Sequence, residues 1–198
     1  MKRWIAGLLA AFMLCSLAGC GEKVEKGDLP SDGKKATIEQ VKDYLDAMIP
    51  KAVEVIGIFS VDGLPVDPGA ADAATEDENG QIFVPVQSDT YHSVQDIKDA
   101  AEQVFTVDYL QQAYYQYVFD GTYARFKDVD GVLYEDVNQG GGGSNDWLTD
   151  TAEIVSQEAD SIVVNITHAD GYGGKNPCRM TLSATEDGWR IGNVEFLD

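Results

Sequence analysis

The residues of this sequence best suited to nucleophilic chemistry are a cysteine and a histidine in its C-terminal part. His168 lies ten residues before Cys178, close enough for the two to fall on neighbouring strands. A catalytic thiol and imidazole also need a third group that orients the histidine, and the spacing suggests none. Cys178 instead begins an alternating run, residues 178–184, in which a cysteine is usually a small core residue. We therefore expect no catalytic residues and a protein that is not an enzyme.

The sequence contains no convincing site for a metal or a cofactor. Residues 75–86 and 126–137 resemble calcium-binding loops, but neither has an acidic residue at its first or twelfth position. The two histidines and Cys178, the one cysteine beyond the first 20 residues, lie at distant positions and lack the spacing of a zinc site. The segment 142–146 departs from the nucleophile elbow because Asp146 stands where that motif has glycine. We expect no metal and no cofactor.

Four consecutive glycines, at positions 140–143, are the most unusual local feature of the sequence. Glycine loses more conformational freedom on ordering than any other residue, so such a run is not expected inside a strand. The run predicts a mobile loop, flanked by Asp136, Asp146 and Asp150, whose carboxylates are suited to meet basic or imidazolium groups. A plain linker between two strands is the alternative, because glycine runs also serve as passive connections.

The charge balance limits the classes of partner. The chain has 34 Asp and Glu residues against 14 Lys and Arg residues, a formal net charge of -20. Phosphate backbones are bound through Lys and Arg, so nucleic acid is excluded as a partner, and so is an anionic lipid surface bound through a basic patch. The same charge favours a basic protein partner, because it accelerates association.

The N-terminus predicts export and a lipid anchor. Lys2 and Arg3 precede an apolar run, residues 4–14, and the sequence LAGC ends at Cys20. This order is that of a secretory signal peptide, and LAGC resembles the bacterial lipobox, in which the cysteine is lipidated. We expect a signal peptide at residues 1–19, a lipidated Cys20 with a flexible tether at 20–35, and an extracytoplasmic domain at 36–198. Signal removal takes two positive charges, so the mature charge is 12 minus 34, or -22.

The first half of that domain has the periodicity of helices. Apolar residues recur at three- and four-residue spacing from Ile38 to Ile56, with Thr37 as the predicted N-cap and a kink or break expected near Pro50. Residues 61–81 are expected to form a long exposed loop, and 82–87 a short strand. Ser93 and Thr106 are the predicted caps of two further helices, the second with a broad aromatic face.

The second half alternates with a period of two and has recurrent turn signals. Six strands are predicted, at residues 123–127, 132–135, 154–157, 161–169, 178–185 and 189–196. Helices followed by a long antiparallel meander indicate an α+β fold, in which a curved sheet packs on the helices. Cystatin-like and NTF2-like folds have a similar order of elements, but they support many functions.

Four features follow one another in order over roughly the last 110 residues: YHSVQDIKDAAEQVFTVDYLQQ (91–112), DGVLYEDV (130–137), a glycine-rich acidic loop, and DGWRIGNVEF (187–196). In this order of features the chain resembles the secreted inhibitors of cell-wall DL-endopeptidases of Gram-positive bacteria. The resemblance implies a protein that binds and blocks NlpC/P60-type hydrolases, whose active sites contain Cys and His. It also implies that the glycine-rich loop takes part in inhibition. The predicted partner-binding residues are Gly140, Gly141, Gly142, Gly143, Asn145 and Asp146.

A second function remains open at the level of sequence. The aromatic face of the third helix permits an NTF2-like module that binds a small ligand in a cavity between helices and sheet, without catalysis. The ligand-binding module requires an open cavity at the concave face of the sheet, whereas the inhibitor does not. A face filled by the protein's own side chains argues against the ligand-binding module.

Overall fold

The computed structural model describes residues 28–30, 33–143 and 145–197. Its first and longest element is helix α1, Ile38–Ser60. Thr37 caps α1 with a capping box, because its side chain accepts from the Gln40 amide and the Gln40 side chain accepts from the Thr37 amide. Of the kink or break predicted near Pro50, the break does not occur, since α1 continues through this residue. Pro50 is exposed while Ile49 and Ala52 are buried, so packing on both sides holds the helix together.

Four shorter helices follow, and one of them lies in the predicted exposed loop. Helix α2, Pro68–Ala73, begins with proline after the Asp67 cap, which makes the prediction of an unstructured segment 61–81 partly wrong. Helix α3, Val94–Glu102, is capped by Ser93 as predicted. Thr106 caps helix α4, Val107–Leu110, which continues through a π turn, Gln111–Tyr115, into helix α5, Gln116–Val118.

The strands form two antiparallel sheets, and the predicted α+β class is confirmed. Strands β1 (Phe83–Pro85), β2 (Phe126–Val129) and β3 (Val132–Asp136) make a small sheet in the order β1-β3-β2. Strands β4 (Asn145–Gln157), β5 (Ser161–Asp170), β6 (Lys175–Thr185) and β7 (Gly188–Phe196) make an antiparallel meander. It is shorter than the predicted meander of six strands, because β2 and β3 pair with β1 in the separate small sheet. The more specific cystatin-like or NTF2-like assignment stays a prediction.

Strand β4 is far longer than predicted and carries an irregularity in its middle. Its pairing with β5 jumps between Leu148 and Glu153, so that residues 149–152 bulge from the ladder. The Thr151 hydroxyl takes over part of the ladder, because it accepts from the Thr167 amide and donates to the Leu148 carbonyl. The bulge contacts α1, where the Lys42 ammonium donates to the Asp150 carbonyl at 2.7 Å. Bulges of this kind occur preferentially at sheet edges and beside functional sites.

One hydrophobic cluster joins α1, both sheets and the aromatic helix, which is the segment from α4 to α5. Phe59 packs against Tyr114, Tyr115 and Phe119, with ring centroids 5.2 to 6.5 Å apart. The aromatic residues of the third predicted helix therefore contribute to the core. The buried Tyr44 hydroxyl donates to the Trp189 carbonyl at 2.7 Å and ties α1 to β7.

The contacts of the domain extend N-terminal to Ala36. Leu29, inside the predicted tether, is buried in the core cluster, and Ala36 exchanges two hydrogen bonds with the Gln157 side chain at the end of β4. The predicted signal peptide, Cys20 and the first part of the tether lie outside the described residues. Among the residues that are described, no helix is long and apolar enough to span a bilayer.

Candidate functional site

The glycine run connects the two sheets and is held against the end of α1. It lies between β3 and β4, and the amides of Gly141 and Gly142 donate to the carbonyls of Val61 and Ser60 at 3.2 and 3.1 Å. The last carbonyls of a helix have no partner within the helix, so the loop supplies the donors that they need. The predicted mobile loop is thus anchored at two consecutive residues.

Close approach of backbone explains why glycine occupies this segment. A Cβ on Gly142 would lie 2.7 Å from the Ser60 carbonyl oxygen. A Cβ on Gly140 would lie 2.7 Å from the Val61 carbonyl oxygen and 2.9 Å from Nη2 of Arg125, and the φ of Gly140 is 117°. Both contacts are shorter than a side chain tolerates, so the docked position of the loop depends on these residues having no side chain.

A buried ion pair lies beneath the docked loop. Arg125 donates from Nε and Nη2 to Oε1 of Glu135 at 3.0 and 2.8 Å, and Oε2 of Glu135 accepts from the Leu64 amide at 2.7 Å. Burial raises the pKa of Glu135, while the Leu64 amide and Arg125 act in the opposite direction. Removing one partner of such a pair leaves an uncompensated buried charge, so the pair fixes the geometry under the loop.

Asp136, which the sequence analysis placed among the available charges beside the loop, is buried. It is 1% exposed, and its two oxygens accept from the amides of Ile82 and Asn138 and from the side-chain amides of Gln81 and Gln139, at 3.0 to 3.1 Å. The prediction that Asp136 flanks the loop as an available charge is therefore wrong. Its carboxylate organises the start of the loop instead, since buried carboxylates need such hydrogen bonds.

Asp146 is exposed and lies on the wall of a groove between α1 and β4. The groove has a volume of about 330 Å³ and is lined by Asp46, Ile49, Pro50 and residues 146–150. Oδ1 of Asp146 accepts from the Trp147 amide at 2.8 Å, and the Thr149 hydroxyl donates to Asp46. Three carboxylates, those of Asp46, Asp146 and Asp150, line this groove, which suits it to a cationic group of a partner. Asn145 pairs with Asp170 where β4 begins.

Two exposed tyrosines beside the glycine run were not predicted. Tyr172, 84% exposed in the turn between β5 and β6, lies against Gly143, whose Cβ would be 2.8 Å from the Tyr172 ring. Tyr123 is 63% exposed, and its carbonyl accepts from the Gln139 side chain at 2.7 Å. Tyrosine is enriched at protein interfaces because it offers a large amphipathic surface at low entropic cost. The sequence signal was the aromatic residue in DGYGG, residues 170–174.

His168 and Cys178 lie on the buried face of the large sheet. The rings of Trp147 and Phe196 pack on His168 with centroids 5.5 and 5.0 Å away. Burial lowers the pKa of His168, with Asp170 and Asp146 acting in the opposite direction. Burial also raises the pKa of the Cys178 thiol, which disfavours the thiolate that a nucleophile needs. Both residues therefore act as parts of the core.

No cluster of three or more His, Cys, Asp or Glu side chains that would suit a metal ion occurs in the described part of the chain. Comparison with known proteins adds no family to this description. No protein-family model matches the chain, and a search of curated proteins finds no similar sequence.

Proposed function

We propose that the protein is an extracytoplasmic lipoprotein, anchored through Cys20, that binds and inhibits or regulates peptidoglycan DL-endopeptidases of the NlpC/P60 type. The order of sequence motifs, the predicted lipobox and the acidic surface support this proposal. The observation that carries it is the glycine run, fixed on α1 beside the exposed Asp146 and Tyr172. A loop that is already ordered loses less entropy on binding than a free one, and this raises affinity.

The chemistry of the proposed partner fits this surface. A glycine backbone without side chains suits a narrow cleft, and the Asp146 carboxylate is placed to meet an imidazolium or a basic residue at the rim of that cleft. Tyr172 adds a rigid aromatic contact beside the loop. The protein would act by occupying the hydrolase cleft, without a reaction of its own.

The small-ligand module remains the alternative proposal. It requires a cavity between helices and sheet, lined by the aromatic helix. Tyr109, Tyr114 and Phe105 pack against one another with centroids 5.6 to 6.5 Å apart, and Tyr115 packs against Phe59 and Phe119. These contacts use the rings that such a cavity would need, so the interface proposal has the stronger support.

Inhibition assays with a panel of NlpC/P60 catalytic domains test the proposal. We expect the wild type to form a complex with at least one member and to slow its hydrolysis of stem peptides. Asp146→Lys should weaken inhibition because it reverses a charge at the contact, and Gly142→Pro should do so because it removes the amide that donates to Ser60. Asp187→Lys, at the turn between β6 and β7, is the charge-matched control.

Two results would count against this proposal in different ways. Unchanged hydrolysis and no complex across the whole panel would reject the hydrolase partner. Equal inhibition by the wild type, Asp146→Lys and Gly142→Pro would reject the loop as the contact while leaving the inhibitor function in place.

A further inference from the structure

A second groove adjoins the docked glycine run on the other side of Val61. Its volume is about 350 Å³, and it is open to solvent along the last turns of α1 and the segment that follows. The Val61 carbonyl, which accepts from the Gly141 amide, belongs to a residue that lines this groove. The groove and the glycine run therefore meet at Val61.

Gly57 is the residue that leaves this groove open. It lies inside α1, and an added Cβ would meet no atom within 4 Å. Glycine is second only to proline as a poor helix former, and here no contact within the described chain requires it. Gly57 therefore leaves its part of the groove wall as bare backbone, which a partner can approach closely.

The walls of the groove combine an apolar floor with an acidic rim. Val53 and Leu64 supply aliphatic surface, whereas Glu54 and Asp62 are exposed carboxylates. Glu54 accepts from the Tyr91 hydroxyl at 3.3 Å. Among the described residues, neither carboxylate has a Lys or Arg nitrogen within 4.0 Å, since the ion pairs there are Arg125 with Glu135 and Arg179 with Glu195.

We propose that this groove receives a Lys or Arg side chain of the protein partner, with its aliphatic stem over Gly57 and its cationic head between Glu54 and Asp62. Long basic side chains bury their methylene groups on apolar surface while the charged end stays in water, which is the arrangement that this groove offers. The net charge of -20 favours a cationic occupant over a neutral one. The inference rests on the proposed function only for the identity of the partner.

Amide chemical shifts of the ¹⁵N-labelled full chain in detergent test the chemistry of the groove directly. The probe is N-acetyl-lysine methylamide, and N-acetyl-norleucine methylamide is the matched control that lacks the cation. We expect the lysine probe to shift the amides of Gly57, Gly63 and Tyr91, and the norleucine probe to shift them much less. The shifts should be lost in Gly57→Met, which fills the groove, and reduced in Glu54→Gln combined with Asp62→Asn.

Gly57→Ala shows whether a loss of binding reflects a folding defect. Its added methyl group meets no atom of the described chain and improves helix propensity, so its urea midpoint should rise above that of the wild type. Gly57→Met should also keep or raise the midpoint. Lysine-probe shifts spread evenly over the acidic surface, or shifts that persist in Gly57→Met, would overturn the assignment of the groove.

Complexes with the hydrolase panel separate this inference from the proposed function. For any hydrolase that binds the wild type, we expect Gly57→Met to weaken the complex by about ten-fold, the effect of losing about 1.4 kcal/mol of contact energy. Equal binding of wild type and Gly57→Met would reject the groove as a partner contact while the inhibitor function stands. A localised response to the lysine probe without any hydrolase complex would reject the hydrolase partner and support the groove.

Discussion

Gly63 lies directly above the buried Glu135 carboxylate, and this contact decides what the position tolerates. An added Cβ would be 1.7 Å from Oε1 of Glu135 and 2.4 Å from Nη2 of Arg125, and the φ of Gly63 is 71°. Gly80 has a similar φ of 79° but open space around it. An alanine at position 80 therefore tests backbone strain alone, whereas an alanine at position 63 tests the same strain together with steric overlap.

We predict that Gly63→Ala is far more destabilising than Gly80→Ala. Gly80→Ala should lower the free energy of unfolding by about 1 kcal/mol, the cost of a left-handed conformation in a residue with a side chain. Gly63→Ala should cost roughly 2 kcal/mol more, because the ion pair must move. Urea unfolding of both variants measures the difference. Equal losses of the free energy of unfolding in the two variants would mean that the ion pair of Arg125 and Glu135 moves at no energetic cost.

We predict that His168 makes the stability of the fold depend on pH below neutrality. Its pKa is lowered in the folded state by burial, so the folded protein binds the proton less readily than the unfolded chain does. The resulting stability is complete above the ordinary histidine pKa of about 6.5 and is lost as the pH falls below it. We expect the urea midpoint of the wild type to fall between pH 7.5 and 5.5, and to fall less in His168→Gln. Parallel pH profiles would contradict this assignment.

At the scale of elements, α1 borders both grooves, and Pro50 is an unfavourable residue in its interior. Pro50 is exposed within the helix, so it removes a helical hydrogen bond without adding a core contact. Gly57 lies in the part of α1 that borders the second groove. The helix therefore contains two poor helix formers at two different surface sites.

We predict that Pro50→Ala stabilises the protein by about 1 to 2 kcal/mol. The gain from helix propensity, up to about 3 kcal/mol, is reduced by the greater freedom of the unfolded chain. Pro68→Ala is the control, because Pro68 occupies the first position of α2, where proline is favoured. Thermal and urea unfolding compare the two variants. A stabilised Pro68→Ala, or an unchanged Pro50→Ala, would refute this account of α1.

At the scale of the whole molecule, the formal charge is -20 for the full chain and -22 after removal of the predicted signal peptide, and such a charge would accelerate encounter with a basic partner. We predict that the association rate constant with a basic hydrolase domain falls on the order of ten-fold between low and physiological ionic strength, whereas dissociation changes little. Surface-based kinetic measurements at several salt concentrations provide the test. Dissociation that carries most of the salt dependence would indicate that buried ion pairs, and not long-range attraction, dominate the complex.

Most of the order of elements was predictable because local patterns determine it, whereas the short helix α2 was missed. The caps Thr37, Ser93 and Thr106 all function as predicted, since a cap is a contact between residues three apart. The first half of β4 was missed, because NDWLTDT, residues 145–151, mixes the strand formers Trp and Thr with Asn and Asp, which disfavour strands. This half of β4 is held in the sheet by its pairing with β5. The bulge at 149–152, which shapes the acidic groove, has no signal in the sequence for the same reason.

The features of the candidate site also fall into those set by local sequence and those set by the packing of the chain. The sequence alone determined that a glycine run and acidic residues stand together on an acidic, α+β chain, because composition and short-range order are local properties. Only the tertiary structure decided that the run docks on α1, that Asp136 is buried, and that Tyr172 and the groove over Gly57 adjoin the run. Gly142 and Ser60 are 82 residues apart in the sequence. Contacts at that separation depend on the packing of the whole chain.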